Sequence, residues 1–110
     1  MNCIVRNEGG FMVVALSGEV DLQYSPEARK QILAQLNKNN NVLVDLSGVS
    51  YIDSSGIASL VEGFQLARTK KLKFGLVGVS NAAHQVLQLA RLDKVFPIKD
   101  SISDYISQHQ

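Results

Sequence analysis

The sequence predicts an α/β domain with a mixed, mostly parallel sheet of about four or five strands and helices packed on it. Apolar runs rich in β-branched residues alternate with amphipathic helical patterns, which is typical of βαβ units. Capping residues lie between these runs and mark where helices begin. The length of 110 residues and the apolar fraction of 45% suit one domain that spans residues 1–110. The predicted order of elements is ββαβαβαβα.

The N-terminal segment is predicted to form a β-hairpin. Residues 3–5 and 11–16 are apolar and rich in β-formers, with a turn at residues 8–10 between them. Gly18 is expected to end the second strand, after which a loop runs through Asp21. This hairpin makes one edge of the sheet antiparallel.

The first two helices have clear start signals. Ser25 is a plausible N-cap with Pro26 at the first helical position. The run at residues 42–46 is almost continuously apolar and is predicted to be a central strand, with residues 51–52 as a short extended link. Asp53 then opens a second helix. The apolar stripe of that helix is Ile57, Leu60, Val61 and Phe64.

The C-terminal half repeats this alternation. Residues 74–79 are predicted to form a strand, and Ser80 caps a third helix whose apolar residues are Ala83, Val86, Leu87 and Ala90. Residues 95–98 form a last short strand, at an edge because Pro97 has no N–H to donate. The spacing of Ser101 and Asp104 resembles a capping box and opens a closing helix.

The charge balance argues against nucleic acid and membrane surfaces as partners. The formal net charge is +1, and acidic and basic residues are interspersed along the chain. The densest basic segment contains Lys70, Lys71 and Lys73, which we interpret as a solvated helix end.

The lone cysteine, Cys3, suits a reducing compartment and excludes an internal disulfide or a multi-cysteine metal site. The start of the chain lacks the pattern of a signal peptide, and no apolar run is long enough to insert into or span a bilayer. We therefore expect a cytoplasmic protein with no cofactor and no metal.

The most informative segment is residues 51–56, which contains Asp53-Ser54-Ser55-Gly56 where a helix follows a buried strand. In open α/β sheets ligands bind at such junctions, and free N–H groups at a helix start favour an anion. A phosphate on Ser54 would lie in that field, and Gly56 would let another protein's backbone approach. The alternative is that this segment only caps the helix, since Asp53 or Ser54 is also a good N-cap.

Catalytic alternatives have little support. No Gly-x-Ser-x-Gly nucleophile elbow or phosphate-cradling glycine loop is present. The histidines are His84, in the third helix, and His109, near the C-terminus, and a triad would require His84 to reach Ser54 from another helix. A metal cluster of Asp21, Asp45 and Asp53 is disfavoured because no further ligand lies at suitable spacing. The chain is predicted to be a binding protein and not an enzyme.

The chain resembles the STAS domain family, in particular bacterial anti-sigma-factor antagonists. The resemblance covers residues 4–106, and its most specific part is Asp53-Ser54-Ser55-Gly56 after a valine-rich strand. The resemblance also includes three other segments, residues 16–21, 42–49 and 76–80. The chain departs from the family at Lys70-Lys71, where a glycine pair is common, and at Arg91, where glycine frequently ends the helix.

The resemblance implies a partner-switching function. In the family the serine directly after the aspartate, here Ser54, is phosphorylated by an anti-sigma factor that is also a serine kinase. The unphosphorylated form would bind that partner, and a phosphatase would reset the switch. Asp21, Asp53, Ser55 and Gly56 would line the contact surface. The resemblance leaves an alternative, a cytoplasmic STAS subunit of a phospholipid ABC transporter that contacts a permease and an ATPase.

Overall fold

The computed structural model describes the backbone of residues 1–109 and the side chains of residues 1–107. Within these residues the elements follow the predicted order, so the predicted fold class is confirmed. They are β1 (Asn2–Glu8), β2 (Phe11–Val20), α1 (Ser25–Asn37), β3 (Val42–Ile52), α2 (Ser54–Lys70), β4 (Phe74–Val77), α3 (Asn81–Leu89), β5 (Ile98–Lys99) and α4 (Ile102–His109).

The strands form one sheet in the order β1-β2-β3-β4-β5. The β1–β2 pair is antiparallel because a tight turn joins these strands. The β2–β3, β3–β4 and β4–β5 pairs are parallel, since a helical segment returns the chain between them. All four parallel strands therefore end at one edge of the sheet, which we call the carboxyl edge, and begin at the opposite amino edge.

Helices cover the two faces of this sheet unequally. Buried residues of α1, α2 and α3 share one core with alternate strand residues such as Val14 and Val44. The neighbouring strand residues Val13 and Leu43 pack on the other face around Tyr105 of α4. Tyr105 is 2% exposed, and the sequence patterns missed it as a core residue. Within the described residues, no helix combines the length and the apolar character needed to cross a membrane.

Two strands are longer than the sequence predicts. The expectation that Gly18 ends β2 is wrong, because the strand continues to Val20. Gly18 has a φ of +81°, and the pairing of β2 with β3 shifts register on either side of Ser17-Gly18. Such an irregularity lets a strand continue with one residue out of the ladder. Residues 51–52 are likewise the end of β3 and not a separate link.

Three local expectations are also wrong. The N-cap of α1 is Tyr24, and Ser25 is instead a buried first residue of the helix. The last strand begins at Ile98, because the chain still turns at residues 93–95. Ala90 is exposed, since it follows the end of α3.

The contact between α1 and α2 is close because one helix presents small residues. Gly63 is buried, and a Cβ there would lie 2.7 Å from Cγ2 of Ile32. Arg29 and Glu62 join the exposed side of this contact with two hydrogen bonds of 2.6 and 2.7 Å. The middle of α2 is therefore held against α1.

The first three helices end in the same way, on a left-handed residue that is not glycine. Asn39, Lys71 and Arg91 have φ values of +64°, +60° and +60°. The next residue in each case donates its N–H five positions back, for example from Leu92 to Leu87 at 2.8 Å. This Schellman pattern usually has glycine at the left-handed position, because other residues cost about 1 to 2 kcal/mol there.

Arg91→Gly should therefore raise the free energy of unfolding by about 1 kcal/mol, since glycine adopts this φ without steric cost. Urea denaturation monitored by circular dichroism measures the change. Arg91→Ala is the matched control, because it removes the charge and keeps the Cβ, and it should give no gain. A destabilised Arg91→Gly protein would show that the arginine side chain stabilises this turn by more than its backbone costs.

Candidate functional site

The segment that the sequence singles out lies at the carboxyl edge, where β3 passes into α2. The N–H of Asp53 donates to the carbonyl of Val20, the last residue of β2, at 3.3 Å. The loop after β2, which begins with Asp21, therefore lies beside the start of α2. The structure thus places side by side the two segments that the sequence analysis assigned to the contact surface, namely the loop at Asp21 and the helix start at Asp53.

Asp53 is the N-cap of α2 and has an extended backbone. Its Oδ1 accepts hydrogen bonds from the N–H groups of Ser55 at 2.9 Å and Gly56 at 3.3 Å. It also accepts the hydroxyl of Ser55 at 2.5 Å. The Ser55 hydroxyl first, and then these N–H groups, lower the pKa of Asp53 below its ordinary value.

The two adjacent serines have different environments. Ser54 is exposed as the first residue of α2, and within residues 1–107 its hydroxyl makes no hydrogen bond to another protein group. Ser55 is half-buried, and its hydroxyl is engaged with Asp53. From the sequence, Ser54 and Ser55 are distinguished only through the family resemblance, whereas the structure leaves Ser54 available and uses Ser55 to hold the carboxylate.

From the sequence alone, the N–H groups at the start of α2 are expected to be free to bind an anion. This expectation is wrong for most of the first turn. Asp53 takes the N–H groups of Ser55 and Gly56, and its carbonyl accepts the N–H of Ile57 at 3.0 Å. The protein's own carboxylate thus occupies the position that an anion would seek. A phosphate on Ser54 would lie next to this charge.

Gly56 is buried, and the reason inferred for it from the sequence is wrong. A Cβ at this position would lie 2.6 Å from Cγ1 of Ile52 and 2.9 Å from the carbonyl oxygen of Val20. Glycine is therefore required by close packing of α2 against the ends of β2 and β3. The missing side chain does not open a path for a partner's backbone.

Asp21 shapes the loop that faces the start of α2. Its Oδ1 accepts the N–H groups of Gln23 at 3.0 Å and Tyr24 at 3.1 Å, as in an Asx turn. Its carbonyl accepts the N–H of Ser25 at 2.7 Å. These bonds hold the following Leu22 on the outside of the loop.

Exposed apolar side chains surround the site, and the sequence analysis missed them. Leu22 is 75% exposed. Tyr51, close to the end of β3, is 50% exposed. A leucine between polar loop residues was the signal that could have identified this surface, because neither a strand nor a helix pattern accounts for it.

The other nominated residues lie in ordinary structural positions. His84 is in the first turn of α3, where its N–H donates to the carbonyl of Ser80 at 2.8 Å. The side chain of His109 lies outside the described residues. Oδ1 of Asp45 accepts the N–H of Ser47 at 2.9 Å. Among the described residues, no three His, Cys, Asp or Glu side chains are grouped so that they could hold a metal ion.

Asp53→Asn should retain the fold, because an asparagine oxygen also caps a helix. The variant should be less stable than wild type near pH 7. The folded pKa of Asp53 is lowered, so its contribution is present above the unfolded pKa of about 4 and is lost as the pH falls through the folded pKa. The difference in the free energy of unfolding should therefore shrink as the pH falls below about 4, measured by urea denaturation. A difference that does not change with pH would contradict this role.

Comparison with known proteins places this geometry in a family. The model of the STAS domain matches residues 2–105. The chain is 28% identical over 99 residues to an anti-sigma F factor antagonist of Paenibacillus polymyxa, covering 88% of this chain and 85% of that protein. It is 27% identical over 88 residues to an anti-sigma-B factor antagonist of Listeria monocytogenes, covering 79% and 77%.

Solved structures agree with the sequence relatives. An anti-sigma factor antagonist from Mycobacterium paratuberculosis superimposes with a TM-score of 0.85 at 28% identity, covering 97% of this chain and 92% of that one. The family model spans nearly all of the described residues, including both segments of the site. This chain belongs to the STAS domain family.

Proposed function

We propose that this protein is an anti-sigma-factor antagonist that acts by partner switching at Ser54. Its unphosphorylated form binds a cytoplasmic anti-sigma factor with serine kinase activity, phosphorylation of Ser54 releases that partner, and a phosphatase restores binding. The relatives named as antagonists support the general role. In this proposal the chain is a regulated binding protein and not a catalyst.

The observation that carries the proposal is the availability of Ser54. Its hydroxyl is exposed at the start of a rigid helix and is not engaged by other groups of residues 1–107. Ser55, one position later, is tied to Asp53 and is half-buried. A kinase that approaches this edge would therefore meet a single unengaged hydroxyl of the pair.

The Asp53 cap makes a phosphate on Ser54 an effective signal. A phosphoserine carries a charge of about −1.5 to −2 at pH 7. Because Asp53 already takes the N–H groups of Ser55 and Gly56, those donors are not free to neutralise the added charge. The phosphate remains exposed beside an ionised carboxylate, which the free protein tolerates because both charges face water.

A docked partner would not tolerate the same change. Docking over Ser54 would take the phosphate and Asp53 out of water together, which costs several kcal/mol when the charges are unpaired. A cost of about 1.4 kcal/mol weakens binding tenfold, so this penalty is sufficient to release a partner. Leu22 and Tyr51 supply exposed apolar area at the same edge, which favours binding when the phosphate is absent.

Ser54→Asp should fold normally and bind the anti-sigma partner at least about tenfold more weakly than wild type. Ser54→Ala should bind like wild type and accept no phosphate. The experiment incubates the protein with ATP and the kinase-like anti-sigma factors of its own host. Mass spectrometry locates any phosphate, and calorimetric titration measures the affinity of each variant.

Ser103→Asp is the matched control, because Ser103 is also an exposed serine in the first turn of a helix, α4, on the other face of the sheet. It should leave the affinity unchanged. Equal binding by Ser54→Asp and wild type would refute the switch. Absence of phosphorylation together with co-purification of a permease and an ATPase would instead identify a transporter subunit.

A further inference from the structure

Acidic and basic residues are interspersed along the sequence, but the fold gathers most of the basic residues at one end of the molecule. Helices α1, α2 and α3 all end at the amino edge of the parallel strands, and their following loops lie there side by side. The Asn41 side chain, after α1, accepts the N–H of Lys73, after α2, at 2.9 Å. Seven of the eleven lysines and arginines belong to these helix ends and loops, which we call the basic edge. They are Lys38, Arg68, Lys70, Lys71, Lys73, Arg91 and Lys94.

Among residues 1–107, few carboxylates lie at the basic edge. Asp93 lies in the same loop as Arg91 and Lys94, and Glu8 at the end of β1 is paired with Arg6 at 3.2 Å. Asp21 and Asp53 lie at the opposite, carboxyl edge. A net charge of +1 therefore does not rule out a local basic surface, because most of the cations lie at one end of the molecule.

Two of these cations occupy positions that favour glycine. Lys71 and Arg91 both have a φ of +60° at the ends of α2 and α3. A cation near a helix C-terminus complements the helix dipole, but Arg68 and Lys70 already provide this in the last turn of α2. A further cation at Lys71 is thus not needed by α2, whereas the last turn of α3 has no cation and Arg91 is the first one after it. Strain at Lys71 that α2 does not require is a sign of function.

The exposed apolar residues of this edge indicate which class of partner the cations would bind. Leu89, at the end of α3, is 86% exposed, and Val95 in the following loop is 49% exposed. Arg91 and Lys94 lie between them in sequence. Among the described residues, the large aromatic side chains that are exposed are Tyr24 and Tyr51, far from this edge. Single-stranded nucleic acid, which stacks its bases on aromatic side chains, would find no such platform here.

We propose that the basic edge binds the surface of a membrane that contains anionic phospholipids. Lysine and arginine side chains would pair with lipid phosphates, while Leu89 and Val95 would enter the boundary between head groups and acyl chains. The protein would lie on the membrane without crossing it. This inference does not depend on the proposed switch at Ser54.

This placement keeps the Ser54 surface free. Helix α2 has 17 residues and runs from Ser54 to Lys70, a span of about 25 Å. With the basic edge on the membrane, Ser54 and Leu22 face away from the lipid. A partner could therefore bind the carboxyl edge of a membrane-bound molecule.

The test is co-sedimentation of the full chain with vesicles in which about one third of the phosphatidylcholine is replaced by phosphatidylglycerol. Wild type should bind these vesicles at low salt and lose most of the binding at about 0.5 M salt. Lys71→Gly/Arg91→Gly should bind about tenfold more weakly or worse. Both changes place glycine at a left-handed position, so the variant should remain folded, and denaturation verifies this.

Lys30→Gln/Lys99→Gln is the matched control, because it removes the same charge outside the basic edge and should bind within about twofold of wild type. Leu89→Gln should weaken binding to the vesicles, because it removes an apolar contact with the lipid. A purely electrostatic partner would bind this variant as well as it binds wild type. Equal binding to pure phosphatidylcholine, or an unchanged Leu89→Gln, would overturn the proposal. So would tighter binding to single-stranded RNA or to polyglutamate than to the vesicles.

Discussion

The arrangement of the candidate site depends on one carboxylate. Asp53 receives two N–H groups and a hydroxyl from the first turn of α2, and its own N–H donates to the carbonyl of Val20 at the end of β2. These bonds fix where the helix begins and hold the loop against it. Because Asp53 uses the hydroxyl of Ser55, the preceding Ser54 is left as the exposed serine. A capping interaction that stabilises the fold thus also determines which of the two serines is exposed.

The parallel topology has a second consequence, since it gives the molecule two chemically different ends. In parallel βαβ units every strand ends, and every following helix begins, at the same edge. Here that edge carries Asp21, Asp53 and the exposed serine, whereas the helix ends at the other edge carry most of the cations. The two surfaces lie about one helix length apart. The structure therefore separates an edge with an exposed serine and two aspartates from an edge that is rich in cations.

The strand–helix alternation was predictable because it rests on local patterns of apolar residues and on capping residues. The N-cap Ser80 was recognised for the same reason, and the choice at α2 was narrowed to Asp53 or Ser54, since a cap acts within one helical turn. Expectations failed where distant residues decide the outcome. Gly18 continues a strand because β3 pairs with it across an irregular register, and Tyr105 is buried because α4 folds back onto the second face of the sheet.

The sequence by itself determined the fold class, the order of elements and the position of the Asp53-Ser54-Ser55-Gly56 segment at a helix start. These features depend on residues close to one another in the chain. Only the tertiary structure decided that Ser54 and Ser55 differ, that Gly56 faces the protein's own core, and that the cations gather at one end. Each of those features depends on contacts between segments far apart in sequence, and the loops converge only when parallel strands align their ends.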